Sequence, residues 1–256
     1  YELKQGLLKK GVNIEHLIET SDRSTPTYIK PLFKENDNYR EGNRLDIRNW
    51  KKTSPELEEK IIGHLHKVLK KVDGVIILDQ VANVNNGVIT DKVRKEIAHI
   101  ADKNDDLIMI ADSREKTDKF KKVMIKSNHY EVVKAFYPEF DGEPDEEIIK
   151  ECGIKMEQKT GKPVFITRGE KGQFIIKDNQ SKKVPAISVE APIDIVGAGD
   201  ATTSGIMCAL GSEMSLEKAA YFGNIVASIT IKKLATTGTA SPQEIMDQII
   251  NLCEND

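Results

Sequence analysis

Short apolar runs alternate along this chain with longer stretches whose apolar residues recur every three or four positions. Residues 74–78, 107–111, 123–126 and 164–167 are short and apolar, which predicts strands buried on both faces. The periodic stretches predict helices over residues 90–103, 130–136 and 145–159. Residues 174–176 and 183–187 read as antiparallel additions, and the C-terminal third as helices over 201–210, 215–232 and 242–252. Strand and helix in alternation imply an α/β fold: a mostly parallel sheet with helices on both faces.

The pattern is different upstream. Residues 2–10 read as the body of a helix ending at Gly11. Residues 27–33 alternate in character and predict a strand that tolerates Pro31 at an edge. A polar loop over 34–42 leads to a second short strand, 43–47, and the pair is compatible with a hairpin. Ser54-Pro55-Glu56 then opens a helix with an N-cap, a proline at the first helical position and an acid in the first turn. Leu57, Ile61, Leu65 and Leu69 recur every four residues along it. With no repeat, no low-complexity tract and no clear linker, residues 1–256 read as one domain, in which 25–48 is the only candidate for a separate piece.

Composition narrows the function classes. A chain of 256 residues holds one large core. Its 31% charged and 39% hydrophobic residues are ordinary for a globular protein. A formal net charge of −3 offers no electrostatic case for nucleic acid or an anionic membrane, and no apolar run reaches spanning length. Cys152, Cys208 and Cys253 are scattered and odd in number, which points to reduced thiols and a cytoplasmic setting. His64 and His66 share a helix without convergent ligands, so a surface role is expected of both. The first residues do not resemble a signal peptide, and the absence of an initiating Met suggests that something precedes Tyr1.

The candidate chemistry lies in Asp194-Ile195-Val196-Gly197-Ala198-Gly199-Asp200, at the mouth of the helix expected from Ala201. The first N–H groups of a helix lack internal partners, and the helix dipole adds positive charge there. Small residues let an anion approach those groups. A carboxylate beside that anion has an obvious task, removal of a proton from a nucleophile. An anion hole plus a base is what phosphoryl transfer to a hydroxyl requires. The same residues also fit a Gly-rich turn capped by Asp200. Other polar residues gather at strand ends, where doubly wound sheets bind ligands: Asp79, Asp112, Arg114, Asn128, Glu131, Arg168 and Gly169.

Residues 194–207 resemble the C-terminal signature of the PfkB/ribokinase family of carbohydrate kinases, Asp-Thr-x-Gly-Ala-Gly-Asp followed by small residues and a helix. Gly197-Ala198-Gly199-Asp200 and Gly205 fit it, while Ile195 departs from the usual Thr. The resemblance implies that Asp200 is the catalytic base and that the amides of Gly197, Ala198 and Gly199 stabilise charge on the transferred phosphate. Lys126-Ser127-Asn128-His129-Tyr130-Glu131 resembles the family's Lys-Pro-Asn-x-x-Glu, with Ser127 in place of Pro. There Asn128 and Glu131 would organise magnesium and nucleotide phosphates, largely through water; by spacing alone they form a helix cap.

Thr167, Gly169 and Gly172 resemble the Thr-x-Gly-x-x-Gly turn bordering the nucleotide, and Asn224 the Asn facing adenine. The loop holding Gly238 resembles the one that closes the base pocket, with a potassium-type monovalent cation site near Asp194 in many members. More loosely, residues 8–12, 25–30 and 44–46 resemble the middle of these kinases, where a hairpin forms part of a lid and often pairs two subunits. Asp112-Ser113-Arg114 resembles a strand-end Asp-Pro-Arg or Asp-Pro-Asn, and the Gly-Thr-Ala-Ser-Pro ending resembles heptose phosphate kinases. The family's N-terminal strand, its acidic sugar-binding residue and its Gly-Gly signature are not found in this sequence.

The resemblance implies a ribokinase-like fold with a small β lid hairpin. It also implies ATP and Mg2+, a sugar or sugar-phosphate substrate, and a homodimer. A nucleoside kinase and a non-catalytic nucleotide- or sugar-binding member are the alternatives. A dehydrogenase is disfavoured, because no Gly-x-Gly-x-x-Gly follows a first strand.

Overall fold

The computed structural model describes residues 2–35 and 38–254. They form two compact units, one running to Lys70 and including Asn83–Val93, the other made of Lys71–Ala82 and Arg94 onward.

The first unit holds α1 (Glu2–Lys9), β1 (Thr27–Ile29), β2 (Leu32–Glu35), β3 (Asn38–Glu41), β4 (Leu45–Ile47) and α2 (Pro55–Val68). Ser54 caps α2, its hydroxyl accepting from Leu57 N at 3.3 Å. β1 pairs antiparallel with β4, and β2 with β3. The polar stretch expected as a loop over 34–42 is therefore largely ladder. The strand expected over 27–33 is split at Pro31, which has no N–H to donate, though its carbonyl accepts from Gly42 N at 2.8 Å. Asn36 and Asp37, in the expected loop, lie outside the described residues.

The second unit is built on a six-stranded mixed sheet. Its elements are β5 (Gly74–Asp79), α3 (Asp91–Lys103, from Arg94), β6 (Ile108–Ser113), β7 (Met124–Asn128), α4 (His129–Lys134), α5 (Glu146–Thr160), β8 (Val164–Thr167), β9 (Gln173–Lys177), β10 (Gln180–Val184), α6 (Ala198–Gly211), α7 (Leu216–Thr230) and α8 (Pro242–Glu254). Spatial order equals chain order, β5 to β10; β5 to β8 run parallel, β9 pairs antiparallel with β8, and β10 antiparallel with β9. β10 begins three residues before the expected position. Asp178 and Asn179 both take left-handed φ, 54° and 60°, which makes a two-residue hairpin with Lys177 paired to Gln180.

The pleat sorts this sheet into two faces. Ile110, Phe165 and Ile175 pack with Ile206 and Ala209 of α6 and with Ala219 and Ala220 of α7. Ile166 and Ile176 point the other way, onto α5; a Cβ on Gly153 would come within 2.7 Å of both. α6 and α7 meet backbone to backbone, since a Cβ on Gly205 would lie 2.8 Å from the Gly223 Cα. The paired glycines set the depth of α6 against the sheet, and with it the position of its N-terminus.

Candidate active site

Cross-strand register decides which residues share the α6/α7 face. Asp112 pairs with Lys126, Lys126 with Phe165, Asn128 with Thr167 and Thr167 with Gln173. Phe165 lies on that face, so Asp112, Lys126, Asn128, Thr167 and Gln173 all do, at the carboxyl ends of β6 to β8 and the start of β9. Asp79 pairs with Ser113, one residue out of step, and so lies on the opposite face. There it is 1% exposed, 3.0 Å from Arg94 of α3 and 3.8 Å from Lys116. Arg168 is likewise taken up, bonded to Glu146 at 2.6 Å with its guanidinium 4.2 Å from the Phe174 ring centre. Arg114 bonds Gln80 at 2.8 Å.

The N-terminus of α6 closes over the shared face. It starts at Ala198, three residues earlier than expected, and its cap position is Gly197, not Asp200. Gly197 has φ 84° and ψ 0°, a left-handed conformation suited to glycine, and a Cβ there would strike Thr237 Cγ2 at 2.7 Å. No side chain caps the helix. Ala198 N is bonded to Ile195 O and Ala201 N to Gly197 O, whereas the N–H groups of Gly199 and Asp200 have no acceptor among the described residues. Asp200, at the third helical position, is exposed.

Asp194 anchors the approach to this turn. Its N–H donates to Ile231 O at 2.8 Å, and its carboxylate accepts from Val196 N at 3.0 Å and Ala235 N at 3.2 Å. Ile195, in place of the Thr of the family pattern, is 72% exposed and leaves those bonds intact. Gly238 packs against the end of α7, where a Cβ would lie 2.5 Å from Thr230 O.

Beneath the turn lies a buried ion pair. Lys126 Nζ is 2.9 Å from Asp112 Oδ2, with side chains 6% and 8% exposed. Thr203 Oγ1 is 3.4 Å from the same oxygen and 3.0 Å from Gly199 O. A Cβ on Gly199 would come 2.9 Å from Lys126 Nζ, so the ammonium abuts the turn itself. Lys126 and Thr203 were not among the residues expected at the site. The register that pairs Lys126 with Asp112 is a long-range property, and only the tripeptide Lys126-Ser127-Asn128 hinted at it.

Asn128 and Glu131 form a reciprocal cap on α4. Glu131 N donates to Asn128 Oδ1 at 2.8 Å, and Asn128 N to Glu131 Oε2 at 2.9 Å. Ser127, replacing a proline, adds its hydroxyl 3.4 Å from Glu131 Oε2. Burial pushes the Glu131 carboxyl above its ordinary range; the Asn128 N–H opposes that rise, and the neighbouring Asp112 adds to it. Thr167 Oγ1 reaches Ser127 O at 3.4 Å. The turn after it is closed by Arg168 N to Gly172 O at 2.8 Å, with Gly169 and Gly172 at φ 58° and 79°. Asn224 is held in place through both ends of its amide, by Pro185 O at 2.7 Å and Gln173 Nε2 at 2.5 Å. Asn128, Glu131 and Thr167 thus meet at the ends of β7 and β8, and Lys126 and Asp112 join them to the α6 turn. Asn224 and Gly172 lie further along, at β9 and α7. Gly238 and Asp194 sit behind the turn, at the end of α7.

A family model described as pfkB family carbohydrate kinase matches residues 1–244. The bifunctional protein HldE of Aliarcobacter butzleri is 26% identical over 239 residues, covering 93% of this chain and 48% of that protein. The chain therefore spans about half the length of that relative. Among solved structures, ribokinase from Thermotoga maritima superposes with a TM-score of 0.64 at 19% identity, covering 98% of this chain and 77% of that one. Ribokinase from Giardia lamblia gives 0.68 at 18% identity, with 98% and 78% covered. At these identities the likeness establishes the ribokinase-like fold.

Proposed function

This chain belongs to the PfkB family of carbohydrate kinases, and on that premise we propose that it transfers the γ-phosphoryl group of ATP to a hydroxyl of a sugar or sugar phosphate. The observation that carries this reading is the α6 turn, where the unpartnered N–H groups of Gly199 and Asp200 lie beside the exposed Asp200 carboxylate. The amides of Gly197 and Gly199 are assigned to the oxygens of the transferring group, where charge develops; the Ala198 N–H, expected to join them, is instead held by Ile195 O at 3.1 Å. Asp200 accepts the proton of the attacking hydroxyl. The acceptor oxygen forms its bond to phosphorus as the bond to the β-phosphate oxygen breaks, and ADP leaves with that electron pair.

Asn128 and Glu131 would hold magnesium with the nucleotide phosphates. The fit rests on a half-buried carboxylate fixed through Oε2, in a hard-oxygen surrounding that suits an ion retaining most of its waters. When bound, magnesium would neutralise phosphate charge. Thr167, Gly169, Gly172, Asn224 and Gly238 are assigned to the borders of the nucleotide. Asp194 is assigned to a potassium-type site, since both its oxygens keep lone pairs beyond the N–H groups they accept.

The departures at Ile195 and Ser127 favour a second reading, a non-catalytic binding member. Neither removes the base or the donors, because Asp194 still fixes Val196 and Ser127 still supports Glu131. Three scattered free cysteines support a cytoplasmic setting, and no helix among the described residues is long and apolar enough to cross a membrane. The hairpin within residues 25–48 exposes Tyr28, Phe33 and Leu45 and is proposed as the surface that pairs two copies.

ATP consumption with magnesium across sugars, sugar phosphates and nucleosides, beside the Asp200→Asn variant, tests the function. Turnover on sugars that the variant loses supports it. ATP binding without turnover on any acceptor moves the binding-protein reading to first place.

A further inference from the structure

Lys126 is one of the few buried cations of the sheet, and its place is not explained by packing. Taking an ammonium out of water is costly, and a buried pair gains little over apolar side chains of similar size. The lysine nevertheless occupies the end of β7, paired with Asp112 at 2.9 Å. Its Nζ stands so close to the α6 turn that only a glycine at position 199 leaves room for it. Around the turn lie three carboxylates, Asp112, Glu131 and Asp200. Arg114, which also acts on Glu131, points to Gln80. A phosphoryl group arriving at the Gly199 N–H would meet these carboxylates, and Lys126 is the buried cation set against them at the turn.

We propose that Lys126 is a further catalytic residue: its ammonium, held by Asp112 under the Gly199 backbone, contacts the oxygens of the phosphoryl group in transfer. The proposal rests on the kinase reading of the same site. No proton leaves the lysine in the step. The hydroxyl proton goes to Asp200 and the electron pair to ADP, while Lys126 stays cationic and balances the charge that gathers on the phosphoryl oxygens. Asp112 acts as its positioning residue, and Thr203 fixes Asp112 to the first turn of α6.

The test uses the full chain as wild type, Lys126→Met, Lys126→Arg and the double variant Lys126→Met/Asp112→Asn. Each is titrated calorimetrically with ATP and with ADP in magnesium, and assayed on the acceptor found by the substrate panel. Lys126→Met should lose about 100-fold or more in kcat, comparable to removing one donor from an oxyanion hole. Its preference for ATP over ADP should fall about tenfold, with ADP affinity nearly unchanged. Lys126→Arg should recover part of both. The single variant leaves Asp112 buried and unpaired, so it should melt earlier; the double variant should regain that stability but neither kcat nor the nucleotide preference. Recovery of kcat in the double variant, or unchanged kcat and preference in Lys126→Met, would show a structural lysine and overturn the proposal. A wild type that binds neither nucleotide overturns the kinase reading itself, a result distinct from a working wild type with a working Lys126→Met.

Discussion

Gly199→Ala separates the two demands placed on the α6 turn. The new methyl would sit 2.9 Å from Lys126 Nζ, against roughly 3.5 Å for an unstrained contact, so one of the two groups must move by about 0.6 Å. Lys126 is held by Asp112 at 2.9 Å and is nearly enclosed, so the displacement falls on that pair or on the backbone N–H of residue 199. Overpacking of this kind costs about 1–3 kcal/mol. Alanine in a helix returns up to about 1 kcal/mol over glycine. The net destabilisation is then about 0–2 kcal/mol, a fall in Tm of up to about 8 °C for a chain of this size. The effect on turnover should be much larger, because a shift of this order in a catalytic group is enough to cost about 100-fold. Gly211→Ala, at the other end of α6 with nothing within 4 Å of its Cβ, gains helix propensity without a collision and serves as the control. Thermal denaturation and kcat at saturating ATP are measured on both. A Gly199→Ala protein that melts as high as Gly211→Ala and keeps wild-type kcat would refute the idea that Lys126 is pressed against the turn.

Asp200→Asn should lose about 100- to 10,000-fold in kcat, the usual contribution of a general base, with ATP affinity and Tm unchanged because the side chain is exposed; calorimetry beside a turnover assay checks both. Gly223→Ala should destabilise by about 1–3 kcal/mol, since its Cβ would meet Thr202 O at 2.9 Å and Ile206 Cγ1 at 3.0 Å where α6 crosses α7; urea denaturation reads the loss. The Glu131 carboxyl is raised in the folded state, first by burial. Its contribution to stability is therefore full below the ordinary carboxylate pKa and is lost as pH rises through the folded value. Glu131→Gln keeps the bond to Asn128 N and does not titrate, so its stability relative to wild type should improve as pH rises from about 4.5 toward 7. A relative stability that stays flat or falls over that interval would contradict the assignment.

The cap and turn chemistry was legible because its causes are local. Ser54 and Asn128 each hold the first turn of the helix that follows, as small polar residues just before a periodic stretch; Asp145 and Ser215, expected only as helix starts, do the same. The glycines at 169 and 172 take the left-handed φ expected of a tight turn. Errors arose where a boundary depends on one or two backbone angles. The Asp178-Asn179 turn moved β10 forward, and Pro31 divided a strand that its alternation presented as one. The start of α6 shifted to Ala198 because Gly197, not Asp200, adopts the cap conformation.

By itself the sequence determined the alternation of strands and helices, the family to which the chain belongs and the identity of the Gly-Ala-Gly-Asp turn, all of which are written in contiguous residues. Tertiary structure decided which strand-end polar groups belong to that turn. Asp79 and Asp112 look alike in sequence, each an acid at the end of an apolar run. Yet a one-residue difference in register sends Asp79 to Arg94 on one face of the sheet and Asp112 to Lys126 under α6 on the other. Side chains alternate across a sheet with a period of two, so the face a residue serves is set by its partner on the next strand. That partner lies 14 residues from Asp112 and 34 from Asp79, and only packing against α6 and α7 selects it.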